Sequence, residues 1–118
     1  RISMAIPSGP GTEVLKTALT TETAASENVL VNGVNLHIYT ILSVVICETA
    51  GNSETFDLYV KDDGGTVYYL IKDQVLAPKK TFVFNDRIVL VSTDELLIAA
   101  GGTCDIDITT SYIDQDWT

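Results

Sequence analysis

Thr103-Cys104-Asp105-Ile106-Asp107-Ile108-Thr109-Thr110-Ser111-Tyr112-Ile113 alternates with a period of two. In an extended strand Cys104, Ile106, Ile108, Thr110 and Tyr112 share one face, and Thr103, Asp105, Asp107, Thr109 and Ser111 share the other. A strand buried on one side only belongs to an antiparallel sheet, with one face on a core and one toward water. Thr55 to Lys61 repeats the pattern, with Phe56, Leu58 and Val60 on one face and Thr55, Asp57, Tyr59 and Lys61 on the other.

Outward from these two strands, turn signals recur at Ser8-Gly9-Pro10-Gly11, Asn32-Gly33, Ala50-Gly51-Asn52-Ser53, Asp62-Asp63-Gly64-Gly65, Ala77-Pro78, Asn85-Asp86 and Gly101-Gly102. Between them lie short runs rich in Val, Ile, Thr, Tyr and Phe, the composition that suits a pleated, half-buried surface. The further runs are Glu13 to Leu19, Asn28 to Val31, Leu36 to Cys47, Thr66 to Lys72, Thr81 to Phe84, Ile88 to Val91 and Leu96 to Ala100. No segment carries a convincing helical period. The expectation is an all-β fold, an antiparallel β-sandwich of jelly-roll or immunoglobulin-like topology with about eight short strands. Leu36 to Cys47 is apolar on both faces, which places it either at the centre of a sheet covered on both sides or with one face in a subunit interface.

The chain has 118 residues, 46% hydrophobic and 19% charged, the size and composition of one folded domain. Residues 12–118 read as that domain. Residues 1–11, with Pro7, Gly9, Pro10 and Gly11, read as an N-terminal arm, in which residues 1–3 have the look of an expression remnant ahead of Met4. No apolar run has the length of a membrane span, and no signal peptide is expected. A net charge of −9 repels the phosphates of nucleic acid, so neither a nucleic acid nor a membrane is expected as a partner.

Chemistry-bearing groups are few. The sole histidine, His37, heads an apolar strand without a nucleophile elbow or a cysteine-based signature nearby, and neither a Walker motif nor a dinucleotide fingerprint is present. Asp105 and Asp107 share a strand face but lack a third group, and are expected to be solvated. Asp62-Asp63-Gly64-Gly65 reads as a hairpin turn, since the acidic spacing of a calcium loop is missing. Cys47 and Cys104 are expected to remain free, because the Trp and Tyr landmarks that accompany an immunoglobulin disulfide are missing. Tyr59, Tyr68, Tyr69, Phe82 and Phe84 form an aromatic group whose first role is packing, with a sugar-stacking platform as the functional alternative. Trp117 either folds back on its own domain or anchors a partner. These readings give no enzyme, with no catalytic, metal-binding or cofactor-binding residue to assign and no cofactor.

Three stretches carry a family resemblance: Met4-Ala5-Ile6-Pro7-Ser8-Gly9-Pro10-Gly11-Thr12-Glu13-Val14-Leu15-Lys16, then Ile38-Tyr39-Thr40-Ile41-Leu42-Ser43 with Cys47-Glu48-Thr49-Ala50-Gly51, and Ser111-Tyr112-Ile113-Asp114-Gln115-Asp116-Trp117. Together with Tyr69-Leu70-Ile71-Lys72-Asp73-Gln74 and Thr81-Phe82-Val83-Phe84-Asn85-Asp86, the chain resembles the small β-sandwich virion structural proteins of tailed bacteriophages, particularly those of marine cyanobacteria. The resemblance implies a head decoration or a tail or fibre component, made in the host cytoplasm and placed in the virion. It also implies contacts with other phage structural proteins and a homo-oligomer, by analogy a trimer. A carbohydrate-binding module recognising a cell-surface glycan is the alternative.

Overall fold

A computed structural model describes residues 11–117. The expected arm, apart from Gly11, lies outside the described residues. Nine strands follow in order: β1 (Thr12–Glu22), β2 (Glu27–Asn32), β3 (His37–Glu48), β4 (Glu54–Lys61), β5 (Val67–Leu76), β6 (Thr81–Phe84), β7 (Ile88–Val91), β8 (Glu95–Ala100) and β9 (Ile106–Asp116).

Every pairing is antiparallel. One sheet runs β1-β9-β3, with β6 and β7 both on the far side of β3; the other runs β2-β8-β4-β5. Because β6 and β7 lie end to end along β3, they act as one edge strand broken at residues 85–87. Counted that way the fold has eight strands, and counted separately it has nine, one for each apolar run of the sequence. The chain crosses between sheets at almost every step, and only β4 and β5 are consecutive neighbours. This is the jelly-roll order, and it excludes the immunoglobulin order, whose sheets pair several consecutive strands.

The alternation of Thr103 to Ile113 holds in space. Ile106, Ile108 and Thr110 are buried between the sheets and Asp107 is exposed, although the strand itself starts at Ile106 and extends to Asp116. Phe56 and Leu58 of β4 meet them from the other sheet, with Leu96 and Ile98 of β8 alongside. Phe56 and Phe82 contact edge to face, their ring centroids 5.5 Å apart.

The doubly apolar β3 has a specific explanation. Its register with β9 shifts between Ile41 and Ser43, so Leu42 is an extra residue, a β-bulge. A one-residue insertion exchanges the two faces. Tyr39 and Ile41 point to the core before the bulge, and Val44 and Ile46 do so after it, where a regular strand would have sent one pair outward. β3 is also central in its sheet, flanked by β9 and β6/β7, but only one of its faces packs on the second sheet.

The end of β3 is tied down by Glu48, a buried side chain whose carboxylate accepts backbone N–H groups from Ala50, Gly51, Asn52 and Lys79 at 2.7–3.1 Å. One acid thereby closes the loop after β3 and pins it to the loop after β5. Glu54 to Lys61 and Val67 to Leu76 form the expected hairpin: Oδ1 of Asp62 accepts from the N–H groups of Gly64 and Thr66, and Gly65 takes the positive φ of 84° that the turn requires.

Candidate functional site

The two outer faces of the sandwich differ in kind. On the four-stranded sheet the outward side chains satisfy one another. Tyr59 donates a hydrogen bond to Glu27, which also holds Lys61 at 2.9 Å. Asp57 accepts from Lys72 at 3.2 Å and from the backbone of Asp73 at 2.7 Å, while Lys72 lies 4.6 Å above the ring of Tyr69. Burial and the Glu27 carboxylate together push the Tyr59 phenol well above its ordinary value. Exposed Val29, Val67, Tyr69 and Val75 stand on the same face among these polar contacts.

The outer face of the five-stranded sheet has little of this. Register places Leu15 of β1 beside Ile113 of β9, Thr40 of β3 and Val89 of β7 in one row across the sheet. A second row holds Leu19, Thr109, Val45 and Val83. Between the two lie the hydroxyls of Thr17, Ser111 and Ser43. Leu15 is 70% exposed, Leu19 78%, Val83 52% and Val89 58%. The polar contacts near this face sit toward its ends: Thr21 to Asp107 at 3.2 Å, and Gln115 to Glu13 at 2.8 Å. A shallow depression of about 310 Å³ lies beside the second row, lined by Leu19, Thr20, Thr21, Asp107, Ile108 and Thr109. Large aliphatic side chains in two ordered rows are the composition of a contact surface, and hydroxyls between them can pair with a partner or with water.

The residues considered for chemistry do not converge. Asp107 is exposed on the outer face, bonded to Thr21; Asp105 precedes β9, and its backbone carbonyl holds Thr49. His37 pairs with Asp116 at the opposite end of β9, on the order of 30 Å along the strand from Asp107. Among the described residues no group of three His, Cys, Asp or Glu side chains is placed to hold a metal ion. Cys47 and Cys104 are both free. Cys104 is buried, with its thiol pushed up to about 11 by burial and then by the Glu22 carboxylate. Of the aromatic group, Tyr59 is buried, Phe82 and Phe84 pack on the core, and Tyr68 and Tyr69 are about half exposed. Tyr69 lies over Tyr59, whereas the Tyr68 hydroxyl donates toward Asp62 at 3.4 Å. As successive strand residues, these two tyrosines point to opposite faces and build no common platform. Trp117 folds back: its backbone N–H donates to the Leu36 carbonyl at 3.0 Å and its ring lies against Gly11.

A polar cluster that the sequence reading missed closes one end of the five-stranded sheet. The buried carboxylate of Asp114 accepts from Lys16 at 2.8 Å, and its other oxygen lies 2.8 Å from Nδ1 of His37, whose ring stacks on Tyr39. Burial by itself would raise the pKa of Asp114, but the hydrogen bonds from Lys16 and His37 outweigh it and hold the carboxyl below its ordinary range. Only the pairing register brings residues 16, 37 and 114 together, and no local motif marks them.

These acids predict the response to pH. Glu48 is held below its ordinary value by the N–H of Lys79 and then by those of Ala50, Gly51 and Asn52; Glu27 is lowered by Tyr59 and Lys61. A carboxylate with a lowered folded-state value contributes stability that is complete above its ordinary value and lost as the pH falls through the folded one. Glu22, raised by burial, works in the opposite direction. With Glu48, Glu27 and Asp114 set against Glu22, the thermal midpoint should fall as the pH drops below about 4. Melting curves that stay flat or rise between about pH 5 and pH 3 would contradict this assignment.

Compared with known proteins, the chain matches no family model and no curated protein. Among solved structures it is similar to a protein of Bacillus endospore appendages, described as a novel family of disulfide-linked pili, with 16% identity and a TM-score of 0.54 over 100% of both chains. It is also similar to a chain of the infectious bursal disease virus Gx strain, with 12% identity and a TM-score of 0.57. That match covers 98% of this chain but only 38% of the viral one. A CBM22-1 xylan-binding domain from Paenibacillus barcinonensis overlaps 90% of this chain at a TM-score of 0.46. At these identities the likeness concerns the sandwich fold.

Proposed function

We propose that the protein is a non-enzymatic structural component of a tailed-phage particle, a head decoration or a tail or fibre part, that acts through contacts between copies of itself. The observation that carries this reading is the outer face of the five-stranded sheet, where two rows of exposed aliphatic side chains line up across the strands and the side-chain hydrogen bonds sit toward the ends. The fold supports it, being of the kind found in a spore appendage and in a chain of a virus. The phage particle itself rests on the sequence resemblance described above.

Light scattering and sedimentation over a wide concentration range test the proposal. A stable oligomer is expected, and a strict monomer at high concentration overturns it. Leu15→Lys with Leu19→Lys should weaken association at least tenfold, because burying each leucine contributes roughly 1.5–3 kcal/mol. Both side chains are largely exposed, so the circular dichroism spectrum should be unchanged.

The glycan-binding alternative is narrowed to Tyr69, which offers a half-exposed ring with Lys72 beside it. Binding on a glycan array that is lost in Tyr69→Ala would favour it over assembly.

A further inference from the structure

Each sheet of an open sandwich has two edges, and an unprotected edge is a template for another strand. Three of the four edges here are blunted. β2 is six residues long with a register shift between Val29 and Val31. β5 has two register shifts against β4, and Asp73 there adopts a positive φ of 52° next to charged Lys72. The β6/β7 edge consists of two four-residue pieces with a break between them. β1 has none of these devices. Its eleven residues pair with β9 without a register shift, contain no proline or glycine, and carry exposed Val14, Leu15 and Leu19. Its one lysine, Lys16, is the residue type that guards edges elsewhere, but here it is drawn to Asp114.

We propose that β1 is the joining edge of the particle subunit and pairs antiparallel with β1 of a second copy about a two-fold axis through Thr17; this rests on the self-assembly reading above. Such an axis stands perpendicular to the sheet, so opposed residues share a face and the register moves only in steps that preserve this. With Thr17 on the axis, Leu15 faces Leu19 of the second copy, Lys16 faces Ala18, Glu13 faces Thr21, and all eleven residues are paired. Moving the axis to Lys16 sets lysine against lysine and Glu13 against Leu19. Moving it to Ala18 sets Leu15 against Thr21 and Val14 against Glu22. Only the Thr17 register joins leucine to leucine on both sides, so the first aliphatic row of one copy runs into the second row of the other. Cross-strand apolar pairs stabilise such a contact and opposed like charges destabilise it.

The test uses the full chain with Cys47→Ser as background. Thr17→Cys places two thiols across the axis at the roughly 4.5–5.5 Å Cα separation of opposed strand residues, within reach of a disulfide. Mild oxidation should yield a cross-linked dimer at least tenfold faster than with Val83→Cys, an exposed position on the opposite edge of the same sheet. Thr17→Lys should weaken association at least tenfold while leaving the circular dichroism spectrum unchanged. Equal cross-linking at the two positions, or association indifferent to Thr17→Lys, overturns the edge assignment while leaving self-assembly standing. A protein that is monomeric at every concentration removes both.

Discussion

Phe56→Ala should lower the free energy of unfolding by about 3–5 kcal/mol, a fall in Tm of roughly 10–20 °C. Phe56 is 1% exposed and sits between the sheets, opposite the inward residues of β9 and β3. Truncation removes its transfer free energy and leaves a cavity walled by strands that hydrogen-bond to both neighbours, so the site has little freedom to collapse. The edge-to-face contact with Phe82 is lost as well. Chemical denaturation of the purified variant measures the effect; a loss under 1.5 kcal/mol would mean that the core relaxes far more than a strand-walled site should.

Gly33→Ala should cost about 3 kcal/mol, although Gly33 lies in a surface turn with no side chain to lose. A Cβ at this position would stand 2.2 Å from the carbonyl oxygens of both Ser92 and Asp94, and 3.0 Å from the Asp94 nitrogen. These are backbone atoms, so no rotamer change relieves the clash. The approach exists because the Gly33 N–H donates to the Asp94 carbonyl at 3.0 Å, clamping the β2–β3 connection to the turn between β7 and β8, where Ser92 already carries a positive φ of 55°. Relief requires one turn to move away, with loss of that bond. Denaturant titration against wild type reads the cost, and a variant within 0.5 kcal/mol would show that the two turns are not clamped.

Gly33 illustrates how much of the fold the sequence discloses. Asn32-Gly33 is legible as a turn from its two residues, but the reason glycine is needed there is a carbonyl about sixty positions away. The same division runs through the molecule. Strand alternation in Thr103 to Ile113 and in Thr55 to Lys61 is a local property, and both strands face as their patterns require. The bulge at Leu42 is not local: nothing in Ile41-Leu42-Ser43 announces an inserted residue, so β3 reads as apolar on both sides when its pattern instead changes phase. Strand ends shift by a few residues because pairing partners decide them, as when β9 continues to Asp116 along β1. The Lys16–Asp114–His37 cluster has no sequence signal because its members come from three strands. The two aliphatic rows of the outer face emerge only once β1, β9, β3 and the β6/β7 edge are laid side by side.

The bulge at Leu42 and the break at residues 85–87 stand at the same level of neighbouring strands. Extra residues at one level bend a sheet there, so the irregularity falls on β3 and its β6/β7 edge, while β1 and β9 pair past that level without a register shift. On the proposed joining surface, that bend would set the inclination at which a neighbour meets each aliphatic row.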